Sequence, residues 1–202
     1  MNKSTFLRYD VLVVRRNDGG GKTLREYRDS GFERPVKPVW LTDKEIERAG
    51  RKYPKVCADV VIVSRTGEGL IYLAKRCIQP MPDWWVIGGG VNFGEPLQEA
   101  AARHFKADTG LDLPLERFKL MYGGVPNRYL WDRRHQKPQD VGEDALAFTF
   151  SVVLTREERE SIVLSPAEYN TSAGLRSFTR KELYEYEVHQ AVIDLYDELF
   201  EP

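Results

Sequence analysis

Residues 89–111, GGVNFGEPLQEAAARHFKADTGL, combine a glycine-rich turn with charged residues at helical spacing. Glycines such as Gly89 and Gly90 allow a phosphate group to approach the backbone closely. Gly110 suits the end of the helix that follows. Asp108 lies in the last predicted turn, where its charge opposes the helix dipole. The pattern predicts a phosphate-binding loop followed by a helix, with Asp108 as either a divalent-metal ligand or a solvated acid.

Two pairs of residues on this predicted helix are spaced four apart. Glu99 and Arg103 can form an ion pair, and we expect that pair to brace the glycine loop. His104 and Asp108 lie on a neighbouring stripe. His104 could act as a base or a phosphate contact, although packing of a surface histidine against the loop is the interpretation we favour. The buried side of the helix is predicted to consist of Leu97, Ala100, Ala101 and Phe105.

The same segment resembles the Nudix box, G-x5-E-x7-R-E-U-x-E-E-x-G-U, where U is aliphatic. Four anchor positions of the box match, namely Gly89, Glu95, Arg103 and Gly110. Three glutamates that collect divalent metal in that family are replaced here, by His104, Ala107 and Asp108. The resemblance therefore implies the Nudix fold, and at these three positions it leaves only the carboxylate of Asp108 to bind the metal.

The surrounding elements are predicted from periodicity and capping signals. The predicted strands are Tyr9 to Val14, Val56 to Ser64, Leu70 to Arg76, Phe118 to Tyr122 and Ala145 to Leu154. The predicted helices begin with capping boxes at Thr42, Thr155 and Thr179, and a last helix covers Val188 to Phe200. Mixed strands with flanking helices predict an α/β/α sandwich with a mixed sheet over residues 41–202. Residues 1–40 are predicted to form an N-terminal extension or hairpin.

From about Leu41 to Leu199 the chain looks similar to the GDP-mannose mannosyl hydrolase branch of the Nudix superfamily. That branch also carries an alanine and a single acid at the positions of Ala107 and Asp108. Further matching positions are Asp59, Lys75-Arg76, Pro166-x-Glu168 and Val188-His189. Two positions depart from the branch. Gly90 or Val91 replaces an arginine after the paired glycines, and Tyr169-Asn170 replaces its general-base histidine.

The resemblance implies one Mg²⁺, with Mn²⁺ as an alternative, held by Asp108 and the Gly89 carbonyl. Arg76 would neutralise a departing diphosphate. Glu168 or His135 would replace the missing general base. The alternative for each of these two residues is a structural or solvated position. The implied substrate-binding residues are Asp59, Arg76, Gly89, Gly90 and Arg128. The implied structural residues of the box are Glu95, Glu99, Arg103 and Gly110. Arg128 and His135 belong to a long predicted loop that is either a lid over the phosphates and base or a solvated surface.

Three functions stay open at this stage. The first is metal-dependent hydrolysis of a nucleotide sugar to a nucleoside diphosphate and a free sugar. The second is a Nudix pyrophosphohydrolase with unusual ligands, which would yield a monophosphate. The third is a catalytically silent nucleotide-binding or sensor protein of the same fold.

Composition narrows the classes of molecule that the chain is expected to bind. The chain of 202 residues has 30 basic and 31 acidic side chains, so no basic excess indicates binding to nucleic acid or to a membrane surface. Cys57 and Cys77 are the two cysteines, and they lack the spacing of a zinc site. We expect a cytoplasmic protein that binds a small nucleotide or nucleotide sugar, with a homodimer as a possible assembly.

Overall fold

The computed structural model describes residues 11–14, 26–29, 33–35, 41–64 and 68–200. Strand β1 (Val11–Val14) pairs antiparallel with β2 (Glu26–Asp29) in a two-stranded sheet. The start of the predicted strand at Tyr9 and the connection between β1 and β2 lie outside the described residues, and the predicted N-terminal extension or hairpin stays a prediction. The domain boundary at residues 40 and 41 stays a prediction.

A mixed sheet of eight strands forms the centre of the described part of the chain. Its strands are β3 (Lys55–Val63), β4 (Ile71–Lys75), β5 (Trp84–Trp85), β6 (Ile87–Gly90), β7 (Lys119–Leu120), β8 (Asn127–Trp131), β9 (Glu143–Val153) and β10 (Leu175–Phe178). The main order is β10-β4-β3-β9-β7, and β5, β6 and β8 pair with β4, β3 and β9 respectively. β3 and β9 are parallel over nine residues, and the other pairs are antiparallel.

Five α-helices accompany this sheet in the described residues. They are α1 (Asp43–Gly50), α2 (Leu97–Thr109), α3 (Arg156–Glu160), α4 (Arg180–Glu185) and α5 (Gln190–Phe200). The capping boxes predicted at Thr42, Thr155 and Thr179 are all formed. None of the helices in the described ranges is long and apolar enough to cross a membrane.

Alternate residues of β3 pack on opposite faces of the sheet, as expected for a strand buried on both sides. Val60 and Ile62 join Ala100 and Phe105 of α2 in one core. Residues on the other face join α4 and α5 in a second core, among them Val61, Val63, Leu183, Val192 and Leu195. The predicted α/β/α sandwich with a mixed sheet is therefore confirmed.

The long loop predicted between Tyr122 and Ala145 is wrong in part, because β8 (Asn127–Trp131) lies within it. Arg128 and Leu130 point outward and are exposed, whereas Tyr129 and Trp131 between them are half-buried. An arginine at an outward position made this strand look like polar loop in the sequence. The remaining connection, residues 132–142, is about half as long as predicted.

Candidate active site

The glycine loop at the end of β6 packs directly against α2. A Cβ atom on Gly89 would lie 2.5 Å from the imidazole of His104, so a larger residue there would displace the ring. His104 Nε2 donates to the carbonyl oxygen of Gly90 at 2.9 Å. Burial lowers the pKa of His104, and the Gly90 hydrogen bond only partly opposes this. His104 is therefore a neutral packing residue of the loop, as the favoured interpretation predicted.

Arg103 braces the same loop, but its partner is not the predicted one. Its Nε and Nη2 donate to the two carboxylate oxygens of Glu95 at 2.7 and 2.8 Å, and Nη2 also donates to the Gly90 carbonyl at 2.9 Å. Glu99 instead pairs with Arg34 at 2.7 Å. The predicted Glu99–Arg103 pair is wrong because the loop brings Glu95 back over the helix, where it offers a bidentate geometry.

The Glu95 side chain is almost fully buried. Burial acts to raise the pKa of Glu95, but hydrogen bonds from Arg103 and from the backbone N–H of Asn92 outweigh it and lower that pKa. The Glu95–Arg103 pair thus holds the glycine loop and the start of α2 in one arrangement.

We expect Arg103→Ala to lower the free energy of unfolding by about 2 kcal/mol, because the buried Glu95 carboxylate loses the hydrogen bonds that the guanidinium donates to it. The affinity for a nucleoside diphosphate should fall with it, since the loop is no longer held. Thermal unfolding and calorimetry with GDP measure the two effects. Arg156→Ala is the control, because Arg156 pairs with Glu160 on an exposed helix face. A variant that loses only turnover would contradict this role.

Asp108, in the last turn of α2, is buried rather than solvated. The hydroxyl of Tyr169 donates to its Oδ2 at 3.2 Å. Burial and, to a smaller extent, the nearby Glu168 carboxylate raise the pKa of Asp108 to about 6, and the Tyr169 hydrogen bond acts against both. A buried carboxylate beside a second acid is a position that a cation would stabilise.

Arg76 lies among these acids. Its Nη2 is 3.6 Å from Glu168, and its buried Nε has no hydrogen-bond partner among the residues that the structure describes. Arg76 also acts to lower the pKa values of Asp108 and of Asp59. Burial nevertheless raises the pKa of Asp59 to about 6. The sequence-predicted residues Arg76, Asp59, Asp108 and Glu168 are thus brought together beside the glycine loop.

Arg128 is not part of this site. Its guanidinium donates to both carboxylate oxygens of Asp144 at 3.0 and 2.7 Å, on the exposed side of β8. Strand alternation turns Arg128 away from Tyr129 and Trp131, so the structure does not bring it together with the other predicted substrate-binding residues. Arg134, in the long loop predicted as either a lid or a solvated surface, is buried and donates to carbonyl oxygens of that loop.

A cleft of about 720 Å³ is lined by three of these residues, Asp59, Arg76 and Glu168, and by the glycine loop, whereas Asp108 is not among its lining residues. His135 also lines the cleft. Its other lining residues include a group that sequence reasoning did not assign to the site, namely Lys55, Trp85, Tyr129, Trp131 and Glu143. The two-residue spacing of the aromatic residues in NRYLW, which is the period of a strand, was the signal that could have revealed Tyr129 and Trp131.

The donors in this cleft suit a hard divalent cation only in combination with substrate. Among the described residues, no group of three or more His, Cys, Asp or Glu side chains forms a metal cage. Asp108, buried beside the cleft, and Glu168, which lines it, fit Mg²⁺, which commonly uses one or two carboxylates together with phosphate oxygens. Cys57 also lines the cleft, but burial raises the pKa of its thiol to about 12, so it is not a nucleophile.

The chain matches known proteins over most of its length. The profile of the NUDIX domain matches residues 54–197. An RNA pyrophosphohydrolase from Cereibacter sphaeroides is 37% identical over 65 residues, which are 32% of this chain and 38% of that protein. The match therefore spans less than half the length of this curated relative.

Two solved structures show the same fold. The Escherichia coli dihydroneopterin triphosphate pyrophosphohydrolase superposes with a TM-score of 0.51 at 18% identity, covering 72% of this chain and 96% of that chain. The MutT protein from Methanosarcina mazei Go1 gives a TM-score of 0.51 at 16% identity, covering 72% and 93%. At these identities the likeness concerns the fold.

Proposed function

This chain belongs to the NUDIX domain family, and from that premise we propose that it is a metal-dependent hydrolase of a nucleotide sugar. Members of the family are hydrolases of nucleoside-diphosphate-linked substrates and generally depend on a divalent metal. The proposed products are a nucleoside diphosphate and a free sugar, and the proposed ion is Mg²⁺. The homodimer and the cytoplasmic location stay predictions.

One observation carries the proposal. Asp108 is the single carboxylate at the three replaced positions of the box, and it lies with Glu168 and Arg76 beside the glycine loop. His104 is occupied with Gly90, and Ala107 is exposed. A site with one box carboxylate and one half-buried cation is suited to neutralising a diphosphate as it departs. It is less suited to assembling a nucleophile opposite phosphorus.

Each of the clustered side chains then has a role. Asp108, with the Gly89 carbonyl, would hold the ion, and the ion when bound would supply positive charge to the diphosphate oxygens. Arg76, whose Nε is unpartnered, donates to the same leaving group. Glu168 accepts the proton of the attacking water, because it borders the cleft within 3.6 Å of Arg76. His135 is the second candidate base in the cleft lining.

A pyrophosphohydrolase is the second candidate function. The 37% identity with an RNA pyrophosphohydrolase over 65 residues favours it. In that case water attacks phosphorus and a nucleoside monophosphate is released from the substrate.

Hydrolysis of a panel of nucleotide sugars with Mg²⁺ in heavy-oxygen water distinguishes the two. We expect the label in the released sugar and not in the nucleotide, because attack is at the sugar carbon. Label in a phosphate would establish the second function instead. Nucleotide binding without products from any substrate would leave a silent binding protein.

A further inference from the structure

A run of glycines in β6 lies beside a row of polar side chains on β3. Gly88 and Gly90 lie opposite Asp59 and Cys57 in the antiparallel register. Because side chains alternate along a strand, Cys57, Asp59 and Lys55 point to one face of β3, and all three line the cleft. The glycines add no side chains beside this row, so a phosphate group can lie against their backbone.

The side chain of Lys55 crosses the Gly90 end of this glycine run. A Cβ atom on Gly90 would be 3.4 Å from the Cε atom of Lys55, so the lysine stem packs against that glycine. Burial raises the pKa of the Cys57 thiol, and Lys55 is the charge that most opposes this rise. Burial also raises the pKa of Asp59, and there Arg76 opposes the rise more than Lys55 does. The Lys55 ammonium therefore lies towards the Gly90 end of the run, and the Arg76 guanidinium lies towards the Asp59 end.

Glu143 holds the Lys55 ammonium in this place without using all of its donors. Nζ of Lys55 is 3.4 and 3.2 Å from Oε1 and Oε2 of Glu143, whereas the corresponding distance between Lys75 and Asp83 is 2.5 Å. An ammonium has three N–H donors, so two long contacts with one carboxylate leave a third donor available. The Lys55 side chain is 34% exposed and lines the cleft. This third donor can therefore reach a ligand in the cleft.

The other arginine in the described cleft lining besides Arg76 has a bracing role. Arg103 uses its Nε and Nη2 donors on Glu95 and on the carbonyl of Gly90. A diphosphate carries more than one negative charge, and the carboxylates of Asp59 and Glu168 line the same cleft. A single cation at Arg76 would leave part of this negative charge without a positive partner.

We propose that Lys55 is a phosphate-binding residue, which donates its third N–H to the diphosphate at the Gly90 end of the glycine run. This inference rests on the proposed function, because it adds a binding residue for the same diphosphate. Glu143 keeps the ammonium in place, and Arg76 contacts the diphosphate from the other end of the run. A lysine ammonium is a compact point charge that suits a phosphate oxygen, and its hydrogen bond is stronger in a partly buried cleft than in water.

Calorimetric titration of the intact Lys55→Gln protein with inorganic pyrophosphate and with GDP, both in Mg²⁺, tests the proposal without requiring turnover. We expect both affinities to fall by the same factor, about 10- to 100-fold, because a hydrogen bond from a charged donor is lost. Pyrophosphate has neither base nor sugar, so its loss of affinity reports the phosphate contact alone. Lys55→Arg should restore most of the affinity, because a guanidinium also donates to phosphate.

Lys106→Gln is the matched control, because it removes an equal charge from a pair with Asp112 outside the cleft lining. Both of its affinities should equal those of the wild type. If Lys55→Gln does not fold because Glu143 has lost its partner, Lys55→Gln combined with Glu143→Gln, compared with Glu143→Gln alone, measures the same contact.

Two results would overturn the proposal. A fall in GDP affinity with unchanged pyrophosphate affinity would place Lys55 at the base or the sugar, and equal losses in Lys55→Gln and Lys55→Arg would show a structural role. Sugar release from a nucleotide sugar, together with unchanged pyrophosphate affinity in Lys55→Gln, would overturn this inference alone. Pyrophosphate binding that depends on Lys55, without sugar release from any nucleotide sugar, would overturn the proposed function alone.

Discussion

Asp108→Asn is expected to abolish metal-dependent hydrolysis while leaving the fold intact. The neutral amide replaces a carboxylate whose pKa burial already raises to about 6, so the folded protein loses no strongly stabilised charge. The amide oxygen can still accept from the Tyr169 hydroxyl. Turnover and Mg²⁺-dependent affinity for GDP should both fall about 100-fold or more, because even loss of a residue that supports a metal ligand costs 10- to 100-fold. Steady-state kinetics, calorimetry and thermal unfolding measure these effects.

Asp112→Asn provides the control for this prediction. Asp112 lies just beyond α2, is exposed and pairs with Lys106, so its loss should change neither turnover nor affinity. Unchanged Mg²⁺ affinity in Asp108→Asn, measured with a diphosphate present, would contradict the assignment of Asp108 as a metal ligand.

The second large effect is expected at Arg76. Arg76→Gln should lower kcat by about 100- to 1,000-fold, as does removal of a donor that stabilises charge in the transition state. The pH dependence should change as well. Arg76 acts to lower the pKa of Asp108, so without it that pKa rises above about 6 and Asp108 is ionised only at higher pH. The acidic limb of the pH–rate profile should therefore move to higher pH.

Arg128→Gln is the matched control, since Arg128 forms its ion pair on the exposed side of β8. Its kinetic constants and pH profile should equal those of the wild type. If Arg76→Gln raises KM and leaves kcat and the acidic limb unchanged, Arg76 binds the ground state and the transition state equally and does not assist the chemical step.

The fold was predictable where local chemistry and the final structure agree. Thr42, Thr155 and Thr179 each begin a helix in the structure, because a capping box satisfies backbone groups within four residues of sequence. β3 and β4 were found because their residues are apolar on both faces. β8 was missed because its outward residues resemble those of a loop, and pairing with β9 decides its conformation.

The candidate site was predictable only in part. Asp108 and Gly89 stand in one short motif, so their proximity follows from a loop and a helix. The pairing of Glu95 with Arg103 depends on how the loop folds back over α2, and helical spacing alone favoured Glu99. Lys55 and Glu143 are far apart in sequence and meet only through the parallel register of β3 with β9. No rule based on sequence spacing could have predicted their contact.

That register also has a consequence for how the protein is made. Lys55 lies beside Ala145 and Val63 beside Val153, partners that are synthesised about 90 residues apart. A growing chain that has completed the glycine loop and α2 therefore still lacks the strand against which β3 is buried. Closing so long a loop costs conformational entropy, so the stabilisation that parallel pairing provides comes late in folding. The apolar β3 stays open to other contacts until β9 has been synthesised, and we expect the emerging chain to depend on chaperones during that interval.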